Sequence, residues 1–140
     1  MRSLKTILSV CALTLAAASA NAEIVVIVNP KNPAANLTAD QVAALYLGNA
    51  SAFPDGGAAS LADQPESAGI RGTFYEKATG RSAAQAKATW ARLTFTGKGT
   101  PPKELKSDAD VMAFVAADPK AIGYVDSSAV DGSVKAVLKL

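Results

Sequence analysis

The sequence has 140 residues, with 14 lysine or arginine residues, 12 aspartate or glutamate residues, no histidine and one cysteine, Cys11. This length is enough for one domain of ordinary size with a modest hydrophobic core. The near-neutral charge argues against a nucleic-acid-binding protein. The lack of histidine excludes the usual nucleophile–histidine pairs, and with one cysteine it also excludes ordinary zinc sites.

The first 22 residues predict a secretory signal peptide. Arg2 and Lys5 form a basic start, residues 7–18 form an apolar run, and Ala20-Asn21-Ala22 forms a small-residue cleavage site. The apolar run of about 12 residues is shorter than the roughly 20 that cross a bilayer. We therefore expect export to the periplasm, no membrane insertion after cleavage, and one domain over residues 23–140.

Cys11 lies within the segment that we expect to be removed. A lipoprotein attachment site is not favoured, because the bulky Val10 precedes the cysteine and most of the apolar run follows it. Cleavage leaves a chain with no thiol, and therefore with no disulfide or thiolate metal ligand. It also removes Arg2 and Lys5, which leaves 12 basic and 12 acidic residues.

The start of the expected mature chain predicts a buried strand and a capped helix. Residues 23–28 form a mostly β-branched run before Asn29-Pro30, which is typical of a strand buried on both faces, and we expect it to be the central strand. Thr38 and Gln41 have the spacing of a capping box that opens a helix, and Gly48 ends that helix.

The rest of the chain alternates helices with strands. In chain order the predicted segments are a turn at 53–57, a strand at 59–62, helices at 67–79, 83–93 and 108–118, and strands at 121–125 and 134–140. Ser67 is expected to open the second helix, Ser82 to cap the third, and Ser107 or Asp108 to cap the fourth. This alternation predicts a single layered α/β domain.

Large apolar side chains at helix and strand positions are expected to form the core rather than to stack on a cofactor. This expectation covers Trp90, Phe95 and Tyr124, while Phe74 and Phe114 are predicted on the inward faces of their helices.

The acidic residues do not form a recognisable catalytic or metal-binding group. Most of them lie at helix starts and turns, where capping and solvation account for them, as at Asp40, Asp55, Asp108 and Asp118. No acidic run has the spacing of a calcium loop. We therefore expect a protein that is not an enzyme and that has no cofactor and no metal site.

Two segments are suited to binding an anion, and the first is the start of the second helix. A helix start presents free amides and a partial positive charge. Ser67 and Gly69 lie at this start, and the guanidinium group of Arg71, one turn later, can reach the same place. The alternative is structural: Ser67 only caps the helix, and Arg71 pairs with Glu66 or Glu76.

The second segment is the glycine-rich loop of residues 96–102. Gly97 and Gly99 allow backbone amides to approach a ligand closely, and Lys98 between them supplies a positive charge. The loop is not a P-loop, because Pro101-Pro102 blocks the helix that would have to follow. The alternative is a plain surface loop.

Several segments occur together in an order that is typical of one protein family. They are Leu37 to Val42, Tyr46-Leu47-Gly48, Pro54-Asp55-Gly56, the helix start at Ser67, Thr96 to Gly99, and Ala121 to Val125. The chain resembles the short, single-lobe proteins labelled phosphate ABC transporter substrate-binding protein. The resemblance implies one lobe of a type 2 periplasmic-binding fold, no enzymatic activity, and presentation of phosphate or another tetrahedral oxyanion to a membrane permease.

The chain also departs from the two-lobed members of that family. Their helix start carries an arginine and an acid before Ser-Gly-Thr, whereas this chain has residues 63–66 followed by Ser67-Ala68-Gly69. Only Ser67 carries over; Arg71 is the candidate replacement for the arginine, and Asp63 and Glu66 add negative charge. One lobe leaves the site open to water, so we expect weak binding, or binding only when a second chain, such as a homodimer partner, covers the site. The alternative is an envelope interaction or sensor domain that kept the fold and lost the anion.

Overall fold

The structure is a computed structural model that describes residues 23–140, so the predicted signal peptide and Cys11 lie outside the described residues. The strands are β1 (Ile24–Val28), β2 (Ser60–Asp63), β3 (Lys103–Glu104), β4 (Ala121–Asp126) and β5 (Lys135–Lys139). The helices are α1 (Ala39–Tyr46), α2 (Gly69–Thr79), α3 (Ala83–Phe95) and α4 (Asp108–Ala117), with a short 3-10 helix at Ser127–Ala129. Within the described range, no helix is both long and apolar enough to cross a membrane.

The five strands form one mixed sheet in the order β3-β2-β4-β1-β5. Strand β1 is antiparallel to β4 and to β5, whereas β2 is parallel to β4 and to β3. The prediction that β1 is the central strand is therefore wrong, because β4 lies in the middle. Both β1 and residues 121–125 of β4 are fully buried apolar runs, and only their pairing decides which is central.

Helices cover both faces of the sheet. Alternate side chains of β1 point in opposite directions, so that Val26 packs with α1 and α2 while Ile27 packs with α4. The first cluster includes Val42, Leu45, Tyr46, Phe74, Tyr75 and Ala78, and the second includes Val111, Met112 and Val115. This arrangement of three layers confirms the predicted layered α/β domain.

Side-chain caps set the starts of three helices. Capping boxes join Thr38 to Gln41 at α1 and Ser82 to Gln85 at α3, and Ser107 caps α4. These starts were predicted from local spacing, and they are confirmed because a cap needs only residues a few positions apart.

Helix α2 begins later than predicted. Its first residue is Gly69 and its N-cap is Ala68, so the prediction that Ser67 opens or caps the helix is wrong. The amide of Ala68 donates to the carbonyl of Pro65 over 2.9 Å, and the extended backbone of Ala68, with ψ at 120°, excludes it from the helix. The start of α2 therefore has no side-chain cap.

One aromatic residue, Phe95, lies outside the core that it was expected to join. Phe95 is 93% exposed at the last position of α3, so its assignment to the core is wrong. At 100° per residue, Phe95 lies about 140° around the helix from the buried Trp90, which explains why it faces solvent. Phe114 is half-buried and packs against the core cluster that contains Val111 and Val115, as predicted.

Candidate functional site

The first turn of α2 lies at the carboxyl end of β2, a strand that is parallel to both of its neighbours. In open α/β sheets, ligands bind at this edge. The N-cap Ala68 has no side-chain cap, and the first turn contains no acidic residue. The amide of Arg71 donates to the carbonyl of Ala68, whereas the amides of Gly69 and Ile70 have no acceptor among the described residues. These two amides are available to an anion.

The surface beside these amides is open. Ser67 and Gly69 are both exposed. A Cβ atom built at Gly69 would meet no other atom within 4 Å. An anion at this helix start would therefore have room, and it would keep contact with water on its outer side.

Arg71 is buried, and its guanidinium group contacts groups of the protein itself. Its Nη1 donates to the carbonyl of Gln64 over 3.0 Å and lies 3.5 Å from Oε2 of Glu104. Its Nε lies 4.0 Å from Oδ1 of Asp63 and has no hydrogen-bond partner among the described residues. The side chain leans toward the start of α2, as expected, but it pairs with Asp63 and Glu104 rather than with Glu66 or Glu76.

Asp63, at the end of β2, is the centre of a buried polar cluster. The hydroxyl of Tyr75 donates to its Oδ2 over 2.6 Å, and the hydroxyl of Tyr124 donates to its Oδ1. The amide of Gln64 also donates to Oδ1 over 2.8 Å. Three donors therefore satisfy a carboxylate that is 4% exposed.

Burial raises the pKa of Tyr75 and of Tyr124 well above the usual value for tyrosine, and the negative charge of Asp63 raises both further. Burial is also the main reason why the pKa of Tyr46 is raised. The hydroxyl of Tyr46 donates to the carbonyl of Ala62 over 2.7 Å. All three hydroxyls stay protonated near neutral pH, so they act as hydrogen-bond donors to this end of the sheet.

Gln64 joins this cluster to the start of α4. Its Nε2 donates to Oδ1 of Asp108 over 2.6 Å and to the carbonyl of Tyr124 over 3.1 Å. The amide of Asp126 donates to Oδ2 of the same Asp108. Gln64 was not singled out from the sequence, although a glutamine directly after a buried strand signals a polar group that must find partners.

The glycine loop ends helix α3. The amide of Gly97 donates to the carbonyl of Thr94 over 3.1 Å, and the amide of Lys98 donates to the carbonyl of Leu93 over 2.9 Å. With Gly97 at a φ of 70°, this is the Schellman arrangement of a helix end. Two of the three amides that were considered for anion binding therefore bind helix carbonyls.

The predicted site residues fall into separate surroundings. One cleft of about 550 Å³, which we call the Arg71 cleft, is lined by Arg71, Asp63, Glu66, Lys87, Glu104 and apolar residues. A second cleft of about 320 Å³, the Lys98 cleft, is lined by Lys98, Gly99, Lys103, the hydroxyl-bearing residues Ser51, Ser60 and Thr100, and apolar residues. Trp90 and Pro101 line both clefts, so the two are adjacent. Ser67 and Gly69 line neither of them.

Glu66 pairs with Lys87, and both residues line the Arg71 cleft. The hydrogen bond from Lys87 is the main cause that lowers the pKa of the exposed Glu66 carboxyl group. The negative charge of Glu66 next to the start of α2 is thus neutralised by a neighbouring helix.

No protein-family model matches the sequence, and no curated protein matches it. Solved structures do match its fold. An ABC-type phosphate transport receptor from Vibrio cholerae has a TM-score of 0.64 at 22% identity, over 82% of this chain and 45% of the receptor. A protein from Clostridium perfringens described as a phosphate ABC transporter substrate-binding protein, solved with bound phosphate, has a TM-score of 0.68 at 23% identity, over 82% and 44% of the two chains. PstS from Borrelia burgdorferi has a TM-score of 0.58 at 12% identity, over 82% and 46%.

This chain has the fold of one lobe of these phosphate receptors. It spans less than half the length of each. The fold class predicted from the sequence and its resemblance to the phosphate receptors are therefore confirmed.

Proposed function

We propose that residues 23–140 form an exported, non-catalytic module that binds phosphate or a similar tetrahedral oxyanion at the start of α2. The observation that carries this proposal is the pair of free amides at Gly69 and Ile70, in a helix start with no side-chain cap and no first-turn acid. Free amides and the helix dipole stabilise an anion at such a place. The likeness of the fold to phosphate receptors supports the same assignment.

The charges around this helix start are compatible with an anion. The carboxylate of Asp63 is satisfied by two tyrosine hydroxyls and lies 4.0 Å from Arg71, and the carboxylate of Glu66 is paired with Lys87. Neither acid presents an uncompensated negative charge. The hydroxyl of the exposed Ser67, two residues before α2 begins, is a further donor.

The affinity of this site is expected to be low. Ser67 and Gly69 are exposed, so an anion there keeps much of its hydration, and charged contacts in water contribute little. A membrane permease, or a second copy of the chain facing the site, would exclude water and strengthen binding. We propose such a partner as part of the function of the module.

Thermal unfolding tests the proposal. Phosphate should raise the melting temperature relative to chloride of equal ionic strength, by the equivalent of about 2.7 kcal/mol at one hundred times the dissociation constant. Sulfate and molybdate tested in parallel would define the preference among tetrahedral oxyanions. No shift at millimolar phosphate would contradict the proposal.

A matched pair of variants isolates the amide of Gly69. Proline is well accepted at the first helical position, and Ala68 already has the extended backbone that a following proline requires, so Gly69→Pro should fold while lacking this donor. Gly69→Ala keeps the donor and has room for its Cβ atom. We expect Gly69→Pro to weaken the phosphate response and Gly69→Ala to preserve it. Equal responses would remove Gly69 from the site.

Export is tested separately. Expression of the full sequence in a Gram-negative host should place the protein in the periplasmic fraction. Its mass should match that of a chain that begins at Glu23. An intact leader in the membrane fraction would contradict the predicted cleavage.

A second candidate function is an interaction domain of the cell envelope. The observation that favours it is the 93% exposed Phe95, which lines the Arg71 cleft beside Trp90 and Pro102. Exposed aromatic side chains next to apolar clefts are common in protein interfaces. A folded protein with no phosphate response in the melting experiment would favour this function over anion binding.

A further inference from the structure

The Lys98 cleft differs from the Arg71 cleft in its charge. The Arg71 cleft contains three acidic residues, Asp63, Glu66 and Glu104, opposite its two basic ones. The Lys98 cleft contains Lys98 and Lys103, and none of the residues that line it is acidic. Of these two neighbouring clefts, only the second has a lining that favours an anion.

The floor of the Lys98 cleft is apolar. Leu45, Leu61, Trp90 and Phe114 line it, while the hydroxyls of Ser51, Ser60 and Thr100 supply a few polar contacts. An inorganic oxyanion requires polar contacts on all sides. Against this apolar floor it would lose bound water that no polar group of the protein replaces. A ligand with one charged end and an apolar body matches both parts of the cleft.

The Trp90 and Phe114 side chains of this floor make defined contacts within the protein. The indole Nε1 of Trp90 donates to the carbonyl of Tyr46 over 2.7 Å, which fixes the ring. Gly99 lies so close to this ring that a Cβ atom there would be 3.2 Å from Cζ3 of Trp90. The ammonium group of Lys103 lies 5.6 Å from the centre of the Phe114 ring, which places the positive charge next to the apolar floor.

We propose that the Lys98 cleft is a second binding site, which takes a small organic carboxylate with an apolar body. Lys98 and Lys103 neutralise the carboxylate, and the body lies against Trp90 and the leucine side chains of the floor. The cleft volume of about 320 Å³ is near the lower end of the range for small-molecule pockets, which suits a medium-length aliphatic or aromatic acid. This site does not depend on phosphate binding at α2.

Trp90 is the single tryptophan of the chain and lines both clefts, so its fluorescence reports a ligand in either of them. Octanoate should change this fluorescence in a saturable way. Octan-1-ol, which has no charge and an apolar chain one carbon longer, should still bind more weakly than octanoate. Added sodium chloride should weaken octanoate binding and leave octanol binding unchanged, because salt screens exposed charges. Inorganic phosphate should not compete with octanoate.

Two lysine variants test the assignment of the charges. Lys98→Met and Lys103→Met each remove one positive charge, and each should weaken octanoate binding by up to about fivefold without affecting octanol. Lys87→Met is the matched control, because Lys87 lines the Arg71 cleft and not the Lys98 cleft. Circular dichroism should show all three variants folded, since these lysines are exposed.

Three results would overturn the proposal. They are no saturable change with octanoate, equal affinities for octanoate and octanol, and a loss in Lys87→Met as large as in Lys103→Met. The last result would place the ligand in the Arg71 cleft.

Discussion

The hydroxyl of Tyr75 on α2 donates a hydrogen bond of 2.6 Å to Oδ2 of Asp63, the last residue of β2, and both side chains are buried. This bond joins the helix of the proposed anion site to the strand that precedes it. Because the second oxygen of Asp63 accepts from Tyr124 on β4, one carboxylate connects three elements of the fold.

Asp63→Asn should be strongly destabilising. The substitution replaces one acceptor oxygen with a donor opposite a tyrosine hydroxyl and removes the negative charge beside the buried Arg71. We expect the free energy of unfolding in urea to fall by about 2–4 kcal/mol. The same chemical change at the exposed Glu76, Glu76→Gln, should alter it by less than about 0.5 kcal/mol. Similar losses in both variants would contradict the role of Asp63.

Alkaline pH should destabilise the protein through its buried tyrosines. Their pKa values are raised in the folded state, so their contribution to stability is complete below the unfolded value near 10 and is lost as pH rises above it. Each tyrosine should lower the free energy of unfolding by about 1.4 kcal/mol per pH unit above pH 10. Urea unfolding across this range should show a shallower pH slope for Tyr75→Phe than for the wild type. An unchanged slope would show that Tyr75 titrates normally in the folded protein.

A side chain at Gly123 is expected to clash with helix α4 and to destabilise the protein. A Cβ atom at this position of β4 would lie 2.5 Å from Cγ1 of Val111 and 3.3 Å from Cγ2 of Val115 on α4. Gly123→Ala should therefore cost about 1–3 kcal/mol of unfolding free energy. Adding Val111→Ala should recover part of that loss, so a double-mutant cycle should show favourable coupling.

Gly72→Ala is the control for this prediction, because Gly72 lies within α2 and a Cβ atom there meets nothing within 4 Å. It should stabilise the protein by about 0.5–1 kcal/mol. Additive effects of Gly123→Ala and Val111→Ala would show that the two positions do not pack together.

The serines that precede α2 and α3 should respond differently to substitution by alanine. Ser82 caps α3 with its side chain, so Ser82→Ala should cost about 1 kcal/mol in thermal unfolding. Ser67 lies outside α2 and caps nothing, so Ser67→Ala should leave stability nearly unchanged while weakening any phosphate response. A loss of stability at Ser67 equal to that at Ser82 would contradict the observed start of α2.

Local sequence predicted much of the fold and part of the candidate site. The capping boxes at Thr38 and Ser82 depend on residues three positions apart, and so could be recognised without a structure. Gly97 also carried a local signal for the end of a helix, but it was interpreted as part of an anion-binding loop. A glycine directly after a helix is more typical of a helix cap than of an anion loop, and its amide indeed binds a helix carbonyl.

Contacts between distant segments could not be predicted in this way. Glu104, which pairs with Arg71, belongs to a two-residue strand between the predicted loop at 96–102 and the predicted helix at 108–118, and such a short strand has no periodicity to detect. Phe95 was assigned to the core by residue type, whereas its position around α3 placed it in solvent. The separation of Arg71 and Lys98 into two clefts likewise depends on how α3 packs against α2 and, through Trp90, against the end of α1.

The sequence by itself determined the alternation of strands and helices, the burial of β1 on both faces and the starts of three helices, because these follow from hydrophobic patterning and short-range hydrogen bonds. The tertiary structure alone decided which strand is central and which partners Asp63 has. Tyr75 and Tyr124 lie 12 and 61 residues from Asp63, and only the packing of α2 and β4 against β2 brings their hydroxyls to one carboxylate.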